Sequence, residues 1–218
     1  MRNMPIMNLP LIMLGAGGHA KVLLSLAKAA GWTVLGVCDP ELSQDNVTHW
    51  RGIPVLGGDD ALESVEPASA GLINGVGQLV GSVARRKVFD RFRARGFCFP
   101  ALVHPAAWVD ASAVLGEGVQ VMAGAVIQAD VFAGCNSIIN TSAGVDHDCH
   151  IGAHVHVAPG ATLCGGVTVG DQAFIASGAT VIQGLTVGEE AVVGAGAVLV
   201  RDLPARFTLI GTDARRQQ

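Results

Sequence analysis

The sequence predicts two joined parts: a small α/β unit with a parallel sheet, followed by an all-β parallel coil. Three observations predict it. A six-residue period runs from Val109 to Leu199, a glycine-rich turn separates the first strand signal from the first helix signal, and strand and helix signals alternate up to about residue 100. The period is the strongest of the three. Positions 109, 115, 121 and onward in sixes to 199 read Val, Leu, Val, Ile, Ala, Ile, Val, Ile, Val, Leu, Val, Ile, Val, Val, Val, Leu. Four residues after each comes a position holding only Ala, Val, Ser, Cys or Leu, and between lie corner pairs such as Glu117-Gly118, Pro159-Gly160, Ser177-Gly178 and Glu189-Glu190. Helices repeat at 3.6 and strands at 2, so a period of six belongs to one short strand plus one bend. Three such units close one triangular coil, and fifteen complete units make five coils. At about 4.8 Å per coil the prism is roughly 24 Å tall. Its handedness does not follow from the period, and the general crossover rule favours the right hand.

The α/β unit, assigned to residues 1–100, reads in order as follows. Leu11-Ile12-Met13-Leu14 is a strand ending in Gly15-Ala16-Gly17-Gly18-His19-Ala20. Ala20, Leu23, Leu24, Ala27 and Ala30 then share one helical face, and Gly31 stops the helix. Thr33 to Cys38 is a second strand, ending at Asp39-Pro40. Gly52 to Gly57 is an edge strand, since Pro54 cannot donate to a central ladder. Asp59 to Val65 is a weak helix, Gly71 to Val76 a strand ending at Gly77, and Ser82 to Arg95 a helix with a serine N-cap and a basic end. Residues Phe97 to Pro105 link into the coil, which occupies 101–218. Leu203-Pro204 breaks the period, so the last residues are expected to cover the final coil, whose open edge would otherwise invite pairing.

Composition removes several function classes. Only 15% of the 218 residues are charged, the net charge is −4, and no Lys/Arg run occurs, which argues against nucleic acid and acidic membranes as partners. Half the residues are apolar and Gly numbers 29, which suits a packed fold with many corners. Five cysteines, Cys38, Cys98, Cys135, Cys149 and Cys164, show no C-x-x-C spacing and read as reduced thiols of a cytoplasmic protein. The apolar start up to Leu14 holds two prolines and feeds into the glycine-rich turn, so it is not read as a signal peptide. No stretch has the length and character of a membrane span.

Two constellations carry chemistry. Gly15-x-Gly17-x-x-Ala20 opens a helix directly after a strand, with Asp39 closing the next strand. Backbone N–H groups at such a helix start cradle phosphates, and the acidic residue suits a ribose hydroxyl or a base edge. The unit is too short for both halves of a dinucleotide fold, so a nucleoside diphosphate group fits better than a nicotinamide cofactor. The second constellation is Asp146-His147-Asp148-Cys149-His150, continuing to His154 and His156. In the six-residue frame His147 and Asp148 are an outward corner pair. An exposed histidine beside carboxylates is a candidate general base, because the negative charge fixes its tautomer and raises its basicity. His150 and His154 read as solvated corner residues. The histidine spacing does not match a zinc site, and no metal is expected.

Taken together, Gly15-x-Gly17-Gly18-His19, Asn140-Thr141-Ser142-x-x-x-His147-Asp148-Cys149-x-Ile151-Gly152, His156-x-x-x-Gly160-Ala161 and the hexapeptide array resemble the bacterial nucleotide-sugar N-acetyltransferases of the bacillosamine and perosamine type. The resemblance implies a small Rossmann-like sheet followed by a left-handed parallel β-helix of about five coils. It also implies a homotrimer with active sites between prisms, acetyl-CoA as co-substrate, and a nucleotide-linked 4-amino-4,6-dideoxy sugar as acceptor for surface glycan synthesis. By the same resemblance Gly17, Gly18, His19, Asp39 and Gly77 hold the nucleotide, His147 is the base, and Asp148 is its acidic neighbour. His156, Ser177 and Ala195 fall where that family touches coenzyme A. Asp148 replaces the Glu of the bacillosamine type, and Asp39-Pro40 stands where that type carries a consecutive acidic pair. These departures favour GDP-perosamine over a UDP-linked sugar.

The expected chemistry is direct transfer. The 4-amine attacks the thioester carbonyl, His147 takes its proton, and backbone N–H groups at Gly165-Gly166 meet the developing oxyanion. Asn140, one unit upstream, is expected to orient His147 or the sugar. Cys149 falls at an inward position and is not a nucleophile. Competing readings are an O-acetyltransferase acting on a sialic acid-type sugar, a trimeric nucleotide-binding scaffold without catalysis, and a transferase using acyl carrier protein, which would need a basic docking patch.

Overall fold

Five strands form the sheet of the first unit: β1 (Leu11–Leu14), β2 (Val34–Cys38), β3 (His49–Trp50), β4 (Ile53–Gly57) and β5 (Gly71–Asn74). They appear in a computed structural model that describes residues 9–210, so residues 1–8 and 211–218, with the start of the apolar N-terminal stretch and the expected terminal cover, lie outside the described residues. The chain divides into two units between His104 and Pro105.

Sheet order is β3-β4-β2-β1-β5, parallel except for the antiparallel β3–β4 pair. β1 and β5 are buried along their whole length, as strands covered on both faces must be. Helix α1 (Gly18–Ala29) buries Ala20, Leu23, Leu24, Leu26 and Ala27, and Gly31 ends the turn that follows at φ 78°. A short α2 (Pro40–Gln44) follows β2, and α3 (Ala84–Ala94) buries Phe89 and Phe92, with the Phe89 ring tilted 47° against that of Phe99 at 4.6 Å. Truncating a buried leucine such as Leu23 to alanine costs about 2–5 kcal/mol. Because β1, β2, β4 and β5 run parallel, Leu14, Cys38, Gly57 and Asn74 end together at one side of the sheet. The order reverses between β1 and β5, the position where open α/β sheets bind ligands.

Several local expectations need correction. β4 is not the edge strand: the short β3 covers it, pairing His49 opposite Pro54. The Asp59–Ser64 segment is a 3₁₀ turn. The N-cap of α3 is Val83, while the Ser82 hydroxyl only accepts a 3.3 Å bond from Ala84 N–H.

The second unit is the coil that the period predicts. Short strands recur at the predicted spacing from Trp108–Val109 to Val198–Leu199 and stack in three parallel sheets. Face 1 carries Trp108, Val126, Gly144, Thr162, Thr180 and Val198, each hydrogen-bonded to the strand one coil on. Face 2 carries Val114, Phe132, His150, Thr168 and Thr186, and face 3 runs from Gln120 through Ile138, His156 and Phe174 to Val192. The aliphatic knobs point inward, and Val121, Ile127, Ile139, Val157 and Ile175 are fully buried. Each is worth about 1.5–3 kcal/mol of burial. At each bend from residue 118 to residue 196 one residue takes the left-handed conformation. It is glycine at 118, 124, 160, 166, 178, 184 and 196, but Asp130, Asn136, Ser142, Asp148, His154, Gln172 and Glu190 adopt it too. Asp and Asn tolerate that region best, because their short side chains bond locally.

Leu203 does not end the coil. It bridges Val187, and Thr208–Leu209 pairs with Val192–Val193, so the stack continues. The final step is tighter: less chain separates Val192 from Thr208 than separates Phe174 from Val192 below it.

Candidate active site

The first site grows from the shared end of the parallel strands. Gly17 is the N-cap of α1 and no side chain caps that helix, so its first N–H groups face the turn that Gly17 and Gly18 form. A Cβ on either glycine would meet nothing within 4 Å, which leaves the surface of the turn bare. Gly75 and Gly77 wall it from the other side. A Cβ on Gly75 would strike the carbonyls of Gly15 and Leu14 at 2.8 Å, and one on Gly77 would sit 3.3 Å from the His19 Cβ. Gly75 was not singled out by sequence reasoning, and its signal is only a glycine directly after a strand. Asp39 sits beside the turn with both carboxylate oxygens engaged. Oδ2 accepts from Ala16 N–H at 2.8 Å and Oδ1 caps α2 through Leu42 N–H at 3.0 Å. Its first role is to pin the glycine-rich turn to the end of β2.

The second site is a corner of the β-helix between faces 1 and 2. His147 stands there 61% exposed, its Nδ1 2.7 Å from Asp148 Oδ2 and its own N–H donating to Asp146 Oδ1 at 2.8 Å. The left-handed φ of 60° at Asp148 turns that carboxylate back toward the ring. The hydrogen bond to Asp148, with the charge of Asp146 behind it, raises the imidazole pKa above its ordinary value. With Nδ1 bonded to a carboxylate, Nε2 is the face that exchanges protons.

One coil on, Gly165 lies directly under the ring. A Cβ there would come within 2.7 Å of His147 Cε1 and Nε2, so only glycine leaves room for the imidazole. Gly166 N–H is spent on the His147 carbonyl at 2.8 Å, which leaves Gly165 N–H as the donor without a backbone acceptor among the described residues. Further along the same corner Gly184 adds no side chain and nothing approaches its Cβ position. The base therefore stands over the Gly165 backbone, with Gln183 and Gly184 at the same corner one coil further on.

The remaining predicted residues gather around a different corner, between faces 3 and 1, with His156 on face 3 beside it. Asn140 Nδ2 lies 3.0 Å from His156 Nε2, while Asn140 Oδ1 accepts from Thr141 N–H at 2.7 Å. His156 is nearly buried, edge-on to Phe174 at 4.9 Å. Ser177 and Ala195 are exposed at the same corner, one and two coils beyond Pro159. Asn140 is thus placed against His156, and the strand Gly144–Val145 separates it from His147. His150 lies on face 2 rather than at a corner, stacked on Phe132 at 4.7 Å, and His154 bonds Asn136 at 3.0 Å. Cys149 is buried, its thiol pKa raised by burial and its Sγ donating to the Cys164 carbonyl at 3.2 Å. Among the described residues no three His, Cys, Asp or Glu side chains converge to hold a metal ion, and no helix is long and apolar enough to cross a membrane.

Residues 10–92 match the family model of the PglD N-terminal domain. PerB from Caulobacter crescentus, solved in complex with CoA and GDP-perosamine, is 42% identical over 93% of this chain and 94% of its own, with a TM-score of 0.85. The chain belongs to the nucleotide-sugar N-acetyltransferases of the hexapeptide-repeat family. The acetyltransferase domain of PglB from Neisseria gonorrhoeae is 39% identical over 94% of this chain and 97% of its own, with a TM-score of 0.87. WeeI from Acinetobacter baumannii is 26% identical over 95% and 99%, with a TM-score of 0.81. This N-acetyltransferase has the architecture expected of the family, a small α/β unit followed by a left-handed parallel β-helix.

Proposed function

We propose that the protein transfers the acetyl group of acetyl-CoA to the 4-amino group of a nucleotide-linked 4-amino-4,6-dideoxy sugar, GDP-perosamine before a UDP-linked one. The observation that carries this reading is the exposed His147 imidazole, backed by Asp148 and seated on the Gly165 backbone. The amine nitrogen attacks the thioester carbonyl and an N–C bond forms. His147 Nε2 takes the amine proton, directly or through one water, while Asp148 holds the opposite ring nitrogen. Gly165 N–H is the donor suited to the oxyanion. The C–S bond then breaks, and the departing thiolate receives the proton that the imidazole holds. No acyl-enzyme is needed.

The 42% identity to a protein solved with GDP-perosamine supports the guanosine-linked acceptor. The bare turn at Gly17 and Gly18, walled by Gly77, supports nucleotide binding by the first unit, residues 1–100, with Asp39 holding that turn in place. Acetyl transfer is assigned to residues 101–218. His156, Ser177 and Ala195 are assigned to coenzyme A, and Asn140 acts beside His156 rather than on the base.

The base and two of the coenzyme A residues, Ser177 and Ala195, occupy the two corners flanking face 1, and the outward positions of that face, Trp108, Val126, Gly144, Thr162, Thr180 and Val198, carry no charge. Packing of face 1 about a three-fold axis would bring one protomer's base corner to the next protomer's coenzyme A corner. This supports a homotrimer with each site between two prisms. Five free thiols suit work in the cytoplasm, on precursors of a surface glycan.

The test is purified protein with acetyl-CoA offered GDP- and UDP-linked 4-amino sugars beside their 4-hydroxy counterparts, read by mass spectrometry and thiol release. Acetylated amine product with the GDP sugar is expected. Transfer to hydroxy sugars alone would make it an O-acetyltransferase. No transfer, with no coenzyme A binding by calorimetry, would leave a scaffold. Sedimentation equilibrium reads the trimer.

A further inference from the structure

Arg85, in the first turn of α3, is a fully charged type of side chain that is only 1% exposed. Its Nη1 donates to two carbonyls, Asn74 O and Val76 O, each at 2.8 Å, so it straddles Gly75. Asn74, also 1% exposed, returns the contact: its Nδ2 donates to Arg85 O at 2.9 Å while its Oδ1 accepts from Val76 N–H at 3.2 Å. Gly75 N–H completes the set by donating to Leu14 O at 2.7 Å. The segment just after β5 is therefore fixed from several sides. Burial drives the guanidinium pKa down to about 9, a sign of how much solvation the side chain gives up to reach this place. Filling space alone does not explain it, since an apolar side chain would occupy the volume without that loss.

What the guanidinium holds is the second wall of the glycine-rich turn. The Gly15 Cβ position lies 3.2 Å from Val76 Cγ2, and the Gly77 position 3.3 Å from the His19 Cβ. We propose that Arg85 is a positioning residue for the nucleotide, fixing the Gly75–Gly77 loop against the turn at Gly15–His19 so that the phosphate-binding surface is formed before the ligand arrives. The inference rests on the reading that the first unit binds the nucleotide. It adds a residue that touches no ligand yet sets the affinity for one, because a preformed surface avoids the ordering that binding would otherwise have to meet.

The experiment is calorimetric titration of the full chain with GDP, with UDP and, separately, with acetyl-CoA, for wild type, Arg85→Lys and Arg85→Met. Lysine keeps the charge, but its nitrogen lies one bond nearer the backbone than Nη1 and falls short of the two carbonyls that Nη1 holds. Both variants are expected to bind the nucleoside diphosphate at least tenfold more weakly while acetyl-CoA binding stays within twofold. In turnover, KM for the nucleotide sugar rises and kcat holds. If the methionine variant fails to fold, the lysine variant decides. Nucleotide affinity equal to wild type in a folded variant overturns the inference and leaves the nucleotide reading intact. Equal loss for both ligands reduces Arg85 to a stability residue and also overturns it. Wild type that binds acetyl-CoA but neither nucleotide overturns the nucleotide reading, and the inference with it.

Discussion

Replacing Gly165 by alanine should disable the base while leaving the protein folded. The backbone at Gly165 lies outside the left-handed region, so alanine is sterically permitted there. The obstacle is the imidazole above it. A methyl carbon at 2.7 Å from His147 Cε1 and Nε2 is far inside the ~3.5–4.0 Å at which carbon atoms settle, and the ring must retreat by about 1 Å. It can do so cheaply, because the side chain is 61% exposed, and Tm should move little. Retreat breaks the 2.7 Å contact with Asp148 and lifts Nε2 from its place. A displacement of that size costs about 10²-fold in rate, within the 10²–10⁴-fold that a general base supplies. The assay is kcat as a function of pH. His147 works as a base only when neutral, so the rate climbs as pH rises through its pKa. Asp148 holds that pKa up, so losing the contact should move the climb to lower pH. Combining the change with His147→Asn should add almost nothing to the loss caused by His147→Asn alone, since both act through one ring. A kcat within twofold of wild type, or losses that multiply in the double variant, would refute the reasoning.

Three further outcomes are expected. Asp148→Asn keeps the left-handed corner, which asparagine accepts, but replaces the carboxylate hydrogen bond that raises the His147 pKa with a weaker neutral one; kcat should fall by about tenfold and the rising limb of the pH–rate profile should shift to lower pH. Asn140→Ala should raise KM for acetyl-CoA by up to about tenfold through His156, leaving kcat and the nucleotide-sugar KM within about twofold; a loss confined to kcat would return Asn140 to the base. Asp39→Ala removes an N-cap worth about 0.5–2 kcal/mol and frees Ala16 N–H, so Tm should drop by about 2–6 °C and nucleotide affinity should fall with it; an unchanged melting curve would mean the cap carries no weight.

The β-helix was legible because its rule is local and repeated: Val109, Leu115 and their successors each sit where the count places them, and the corner position of His147 follows from the same count. The period could not say which side chains meet across coils. Gly165 reads as one more corner glycine until its place one coil after His147 becomes a clash distance. Asn140 is near His147 in sequence, yet it faces His156, because a strand and a bend turn the chain between them. In the first unit Pro54 pointed to an edge, and the pair His49–Trp50 is too short to carry a strand signal of its own. Arg85 is followed by two more basic residues, Arg86 and Lys87, and only the packing of α3 on β5 shows which of the three is inside.

The steady offset between stacked strands makes position in this chain an address with two coordinates, height and bearing. Removing one repeat unit between Cys164 and Ser177 would lower nothing by a full storey but would rotate everything downstream by a third of a turn, carrying the Ser177 corner to another edge of the column. Removing three units would keep every bearing and drop it by one storey. Natural variation in the length of this column should therefore come in whole coils wherever both corners are used, with other lengths tolerated beyond Leu199, where the step to Thr208 already departs from the regular one.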